Sequence, residues 1–454
     1  MGEMEVPVNA LYGASTQRAV LNFPISQLRF PPVFIKALGI IKKAAAISNA
    51  ELGLLDDKIS KAIVSACEEV IEGKLNEHFV VDIFQTGSGT SSNMNANEVI
   101  ANRAVEILGG RRGDKSIVHP NDHVNMSQSS NDIIPSSIHL ATVIGIEEDL
   151  LPSMKLLADE LTKKEGEFKD VIKSGRTHLQ DATPITLGQE FSGYATQVNF
   201  GIERVKSTLD RVRELAQGGT AVGTGLNTHP DFPSKVVKEI SKISGVKTVE
   251  ARNHFEAQGA RDAIVELSGQ LKTYACSLMK VANDIRWLAA GPRCSLAEIQ
   301  LPEIQPGSSI MPGKVNPVVC ESVMMVASQV IGNDACITTG GQHGNFELNV
   351  MLPVIGYNIL QSIEILASSS KNFKVKCIEG IKANREQCLE YAEASLATCT
   401  SLAPIIGYDA AAKIAKKAFV EGKTVREVAK AEKVLDVDKL EKALDLMAMT
   451  KPGV

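Results

Sequence analysis

Residues 306–317 read Pro-Gly-Ser-Ser-Ile-Met-Pro-Gly-Lys-Val-Asn-Pro and put two hydroxyls, a cation and an amide into one short loop. Its prolines fix local geometry, while Gly307 and Gly313 permit backbone shapes closed to other residues. Such a loop suits a small anion, because successive backbone N–H groups form an anion-binding concavity. A helix is expected from Val318, and its positive end favours anions too. Alone, a Pro/Gly/Ser stretch is an ordinary turn. Here the same chemistry returns at three distant places, residues 86–93, 119–122 with 127–132, and 174–181.

In the first of these, Ser88, Gly89 and Thr90 lead into an expected helix over 94–108, so hydroxyls and free N–H groups gather at a helix start. The Gly-Lys-Ser/Thr ending of a phosphate-binding P-loop is missing. In the second, His119, Pro120, Asn121 and Asp122 precede a run in which Ser129, Ser130 or Asn131 can cap a helix beginning near Asp132. The third, Ser174 to Asp181, contains Arg176, Thr177 and His178 and reads as a loop. Of eight histidines only His119 and His178 lie inside such loops, and imidazole suits proton transfer near neutrality. A serine in a glycine loop can be a nucleophile, an acid/base group or a ligand, and no Gly-x-Ser-x-Gly elbow favours acyl transfer. The residue types lead to an anion-binding, His-assisted acid/base site with no metal and no cofactor.

The elements that must position these loops are helical. Apolar spacing predicts helices over 32–52, 56–72, 132–164 (bent or broken at Pro152), 186–216, 256–290, 318–337 and 350–368. Residues 1–30 read as irregular, 79–84 as short extended segments, and 218–229 as a Gly/Thr/Asn-rich excursion. After a charged connector at 371–384, shorter helices are expected over 385–402, 409–419 and 425–431. Long helices chained by polar loops imply a mostly α fold built on an elongated central bundle.

Composition narrows the partners. The 454 residues carry a net charge of −5 without a concentrated basic face, which speaks against nucleic acid. Aromatics make up only 4%, fitting helix-on-helix packing better than a β-sandwich. Eight scattered cysteines lack C-x-x-C or Cys/His spacing, so a disulfide framework or zinc site is not expected and a reducing, cytoplasmic setting is. No apolar run approaches the ~20 residues that span a bilayer.

The run Gly-Ser-Ser-Ile-Met-Pro-Gly-Lys-Val-Asn-Pro at 307–317 resembles the signature of the fumarase/aspartase superfamily. Gly-Ser-Gly-Thr at 87–90, His-Pro-Asn-Asp at 119–122, Ser-Ser-Asn at 129–131 and Gly-Arg-Thr-His at 175–178 follow in the order that resemblance requires. The chain looks like the metal-independent class II fumarases, which interconvert fumarate and L-malate. His178 stands where aspartate ammonia-lyases usually carry Gln, Gly313 where they have Ala, and Gly-Asn-Phe-Glu-Leu-Asn at 344–349 is fumarase-like. Met126 departs from the Lys of many fumarases. The resemblance implies that Ser308 removes the C3 proton of malate, leaving an aci-carboxylate, that His178 acts through a bound water, and that Glu321 hydrogen-bonds His178 and sets its charge state. It implies a dicarboxylate cradle of Ser88, Gly89, Thr90, Ser129, Ser130, Asn131, Thr177, Ser309, Lys314, Val315 and Asn316, and a secondary anion site at His119, Pro120, Asn121 and Asp122. It further implies a homotetramer with sites drawn from three subunits. The implied domains run 1–127, 128–383 and 384–454, the first and last being smaller helical domains.

Overall fold

Helices carry most of residues 3–453, the part described in this computed structural model, and strands occur there only as two-stranded pairs. The chain gathers into two compact units. One comprises the residues up to Pro152 with Gly201–Ala275 and Val326–Ser368; the other comprises Ser153–Phe200, Cys276–Met325 and the chain from Ser369 onward.

The first unit is built on the helix Pro32–Glu51. Pro32 sits in its first turn, where a missing N–H is no loss. Phe34, Ile35, Leu38, Ile41, Ala44 and Ala45 are all buried, which marks this as a core helix rather than a surface one. It packs against the helices Asp57–Ile71, Ser130–Gly145 and Phe232–Ser244. Close approach to the first of these needs Gly39, where a Cβ would sit 3.0 Å from both Val70 and Ile71.

Three expectations fail in this unit. Residues 14–22, read as irregular, form the helix Ala14–Asn22. Its start is held by a distant carboxylate: Glu98 accepts from the N–H groups of Gly13 (2.9 Å), Ser15 (2.9 Å) and Thr16 (3.0 Å) and from the Thr16 hydroxyl (2.6 Å). The helix Phe232–Ser244, closed by Gly245 at φ 75°, was not expected at all. No strand forms over 79–84.

The helix expected over 132–164 is interrupted upstream of Pro152. Ser130–Gly145 is regular, Ile146–Leu150 is a widened turn, and Leu151–Glu167 follows. Pro152 offers no N–H and its ring crowds the carbonyl four residues back, that of Glu148, so the irregularity falls there.

In the second unit, the stretch read as a loop at 174–181 is instead a β-hairpin, with Ile172–Thr177 antiparallel to Gln180–Thr186 and a register shift between Ser174 and Arg176. The helix Arg385–Ala394 packs on its first strand. The C-terminal helices Tyr408–Glu421, Val425–Ala431 and Val437–Ala443 share a cluster that includes Leu402, Ile414, Val425, Val428, Leu440 and Leu444. The last of these helices was not anticipated.

Removing the Glu98 carboxylate leaves four donors without their acceptor. Glu98→Ala is expected to lower stability by about 1–3 kcal/mol and to speed amide exchange across Ala14–Asn22 well beyond the rest of the unit. Unchanged exchange there would show that other contacts hold this helix.

Candidate functional site

In the first unit the polar loops converge through hydroxyls. Thr90 Oγ1 donates to Ser130 Oγ at 2.9 Å, and Ser88 Oγ lies 2.7 Å from Thr90 Oγ1. A hydroxyl has one proton, so with Thr90 donating to Ser130, Ser88 must donate to Thr90. The relay Ser88→Thr90→Ser130 ends on a hydroxyl whose own proton is left for an outside acceptor, and each bond polarises the next. Gly89, at φ 71°, makes the turn into the helix Thr90–Ile107. Neighbouring Gly87 admits no side chain, since a Cβ would sit 1.9 Å from the Val350 carbonyl oxygen.

Among the three capping candidates the residue is Ser129. Its Oγ accepts from the Asn131 N–H (3.2 Å), while Asp132 accepts from the Ser129 N–H (2.9 Å), a capping box. Asp132 also accepts from Gly218 N–H (3.2 Å) and Thr220 N–H (2.9 Å), tying the 218–229 excursion to the cap. Burial pushes its carboxyl up to about 6, against the opposing pull of those backbone N–H groups and of Lys42. Asn131 Nδ2 donates to the Ala221 carbonyl at 2.8 Å, leaving its oxygen and second N–H unassigned.

At His119–Asp122 the expected concavity is partly closed on itself. His119 Nδ1 accepts from the N–H groups of Asn121 (3.2 Å) and Asp122 (3.1 Å). A ring nitrogen accepting two N–H bonds carries no proton, so the proton sits on Nε2 and the nearby Asp122 Oδ2 at 3.3 Å is a neighbour rather than an ion-pair partner. Pro120 is buried beneath, and the exposed groups are Asn121 and Asp122.

In the second unit Thr177 and His178 occupy the hairpin tip. Thr177 pairs with Gln180, so His178 and Leu179 are the two turn residues, at φ 56° and 59°. Two-residue hairpin turns of this hand favour Asn-Gly because both residues need φ > 0. A His-Leu pair bears strain of order 1–3 kcal/mol per residue, and both side chains are exposed. The hairpin is braced from inside. Arg176 donates to both oxygens of Glu298, at 2.8 and 3.1 Å, and Lys173 Nζ lies 3.6 Å from Glu298 and 3.4 Å from Glu190. Glu298 is fully buried, and burial pushes the Glu190 carboxyl above its ordinary range. Two cations against two carboxylates leave this interior neutral, as a buried cluster must be.

The loop after Pro306 is closed by its own backbone and amide. Gly307 N–H donates to the Lys314 carbonyl at 2.8 Å, Asn316 Nδ2 to the Gly307 carbonyl at 2.5 Å, and Lys314 Nζ to Asn316 Oδ1 at 2.6 Å. A Cβ at Gly307 would lie 2.2 Å from the Lys314 oxygen, so only glycine fits. Within the loop the N–H groups of Ile310 (3.3 Å) and Met311 (3.1 Å) both point at Ser308 Oγ. Donors aimed at a hydroxyl oxygen favour its deprotonated form. Ser309, Lys314, Val315 and, in the first turn of Val318–Gly341, Glu321 are exposed. No hydrogen bond joins His178 to Glu321 among the described residues of this one chain.

The expected site residues are thus found in polar loops, at helix starts and, for Thr177 and His178, at a hairpin tip, in separate groups: Ser88, Thr90 and Ser130 bonded together, Lys314 and Asn316 bonded together, His178 and Glu321 not bonded to each other. Sequence reasoning passed over the supports, Asp132, Glu298, Lys173 and Glu190. Ser129-x-x-Asp132 was a readable capping signal; nothing local marks Glu298. Glu298→Ala strands Arg176 and Lys173 and is expected to reduce stability by about 3–5 kcal/mol, measured by urea denaturation. A loss below about 1 kcal/mol, the range of surface pairs, would mean the cluster is not a brace.

The chain matches the lyase family over residues 2–332 and the fumarase C C-terminal family over residues 399–451. It is 55% identical over 430 residues to the mitochondrial fumarate hydratase 1 of Arabidopsis thaliana, covering 94% of this chain and 87% of that protein. With the class II fumarate hydratase of Nitrosomonas europaea it shares 53% identity over 429 residues, 94% of this chain and 93% of that one. The crystal structure of the class II fumarase of Schistosoma mansoni superposes with a TM-score of 0.96 at 41% identity, over 99% of this chain and 97% of that one. On its sequence and its fold, the chain belongs to the lyase family, among the class II fumarate hydratases.

Proposed function

We propose that the chain catalyses the reversible addition of water to fumarate, giving L-malate, as a metal-independent hydro-lyase of the tricarboxylic acid cycle. The observation that carries the reading is the pair of N–H groups, from Ile310 and Met311, aimed at Ser308 Oγ. An ordinary serine hydroxyl is far too weakly acidic to serve as a base, and donors at its oxygen are what the chemistry demands.

In the dehydration direction the Ser308 alkoxide takes the C3 proton of malate. The C–H electron pair passes into the adjacent carboxylate, which becomes a doubly charged aci-carboxylate. Lys314 and Asn316 hold that group, where donors fixed in advance are worth most because its charge grows. The C2–O bond then breaks, and the leaving hydroxide takes a proton from His178 through a bound water and departs as water. Glu321 hydrogen-bonds His178 and orients its ring. Ser88, Gly89, Thr90, Ser129, Ser130, Asn131, Thr177, Ser309 and Val315 complete the dicarboxylate cradle, and His119 to Asp122 form a secondary anion site.

The assembly in this reading is a homotetramer whose sites each draw on three subunits. The absence of a hydrogen bond between His178 and Glu321 among the described residues of one chain supports it, as does the exposure of both. A cytoplasmic location is also part of the reading, supported by eight cysteines without a disulfide pattern; recovery of the native enzyme in an organelle fraction would count against it.

The first assay follows ultraviolet absorbance of fumarate after L-malate or L-aspartate is added to EDTA-treated protein. Fumarate is expected from malate alone; fumarate from aspartate would make the chain an ammonia-lyase, and loss of activity with EDTA would end the metal-independent reading. Ser308→Ala and His178→Asn are each expected to lower turnover by at least roughly 100-fold, with modest loss of dicarboxylate affinity for His178→Asn. If either variant turns over at the wild-type rate, its assigned role is wrong. Mixing the two inactive variants under conditions of subunit exchange is expected to restore part of the activity, since some mixed sites are intact. No recovery despite proven exchange would mean that each subunit holds a complete site.

A further inference from the structure

Lys42 is fully buried in the middle of the helix Pro32–Glu51, and nothing in the proposed chemistry uses it. Its Nζ donates to Asn125 Oδ1 at 2.9 Å. The same oxygen receives Asn93 Nδ2 and Asn97 Nδ2, each at 3.2 Å, from the helix Thr90–Ile107. Asn93 Oδ1 and Asn97 Oδ1 are buried with no partner of their own, so both amides have been turned to present N–H rather than oxygen to Asn125. Three donors on one amide oxygen, one of them the Lys42 amine, make an anchor stronger than a single pair.

Asn125 passes that anchoring on. Its Nδ2 donates to the Gln128 carbonyl at 3.0 Å, and Gln128 N–H donates back to the Asn125 carbonyl at 3.1 Å. Gln128 immediately precedes Ser129. Further along, Asn49 on the same helix as Lys42 donates to the Met126 carbonyl (3.1 Å) and accepts from Ser127 Oγ (2.8 Å). On its other side Asn125 N–H donates to the Pro120 carbonyl at 3.1 Å. One helix therefore fixes the backbone between the two polar clusters at 119–122 and 129–131.

We propose that Lys42 is a positioning residue for the carboxylate cradle, fixing through Asn125 the segment that presents Ser129, Ser130 and Asn131 to substrate. This rests on the hydratase reading above. The anchoring leaves the cradle alone: Lys42 takes none of the three residues' side-chain donors. Stability does not account for it, because burial holds this lysine down to about 7, with Asp132 and Cys67 pulling the other way. A methionine of similar length would relieve that burden.

The test is steady-state fumarate hydration by wild type, Lys42→Met and Asn125→Asp at neutral pH, with thermal midpoints for all three. Activity in the wild type establishes the hydratase reading separately, so only the variants bear on Lys42. Lys42→Met is expected to raise KM for fumarate roughly tenfold, to change kcat far less, and to leave the midpoint no lower. Asn125→Asp gives Lys42 a charged partner but cannot donate to the Gln128 carbonyl; it is expected to stay folded and raise KM as well. A merely structural brace predicts the reverse pattern, a lower midpoint for Lys42→Met with KM unchanged, and that result overturns the proposal. Should Lys42→Met fail to fold, Asn125→Asp decides: a raised KM supports the relay, and a wild-type KM overturns it.

Discussion

A loop that is to bind a dianion has to be held still by bonds that do not consume its own donors. Water is the competing partner for every hydroxyl and amide in such a loop, so a loose loop gains little by meeting substrate. A loop that satisfies itself has nothing to offer. The relay from Ser88 through Thr90 to Ser130 meets both demands: the Thr90 and Ser130 oxygens are each placed by an incoming bond, and the last proton remains unassigned. Asn316 uses its amide to close the loop at Gly307 and its oxygen to hold Lys314, so an ammonium is aimed by a neutral partner rather than neutralised by a carboxylate. At His119 the balance goes the other way, with two backbone N–H groups taken by the imidazole.

The rigidity comes from buried carboxylates and from two buried lysines, Lys42 and Lys173, set just outside the loops. Glu98 holds the start of Ala14–Asn22, Asp132 ties the cap of Ser130–Gly145 to the 218–220 backbone, and Glu298 grips the hairpin through Arg176. Each is satisfied by several donors, which makes such groups tolerable inside a protein. Carboxylates suit this work and are excluded from the cradle itself, where their charge would repel the substrate. A chain of net charge −5 can thus present locally neutral or positive loops to a dianion.

What was legible in the sequence was what is local in the chain. The loop after Pro306 declared itself because its hydroxyls, cation, amide and glycines lie within twelve positions, and close approach of the Lys314 carbonyl is why position 307 is a glycine. Ser129 was recognisable as one of three caps. The hairpin was not legible, because its turn is His-Leu where the backbone asks for Asn-Gly; a functional side chain occupies a position local propensity would give to another residue. Ala14–Asn22 was missed for a related reason, since its cap is a glutamate more than eighty positions away. The break near Pro152 was foreseen, but its place four residues earlier follows from the carbonyl that the proline ring crowds.

The same distinction bears on the base proposed here, a serine. The two N–H groups at Ser308 belong to its own turn, so the oxygen is prepared by local geometry that travels with the loop. Loop 306–317 is mostly exposed and closed chiefly on itself, so that preparation rests on bonds within the loop. His178 is prepared differently, by a strained turn on a hairpin anchored through Glu298, a rigid support that has little freedom to adjust. In the proposed reaction the base sits on a self-closed loop and the acid on a braced hairpin, and anti addition needs those two groups on opposite faces of a flat, rigid substrate.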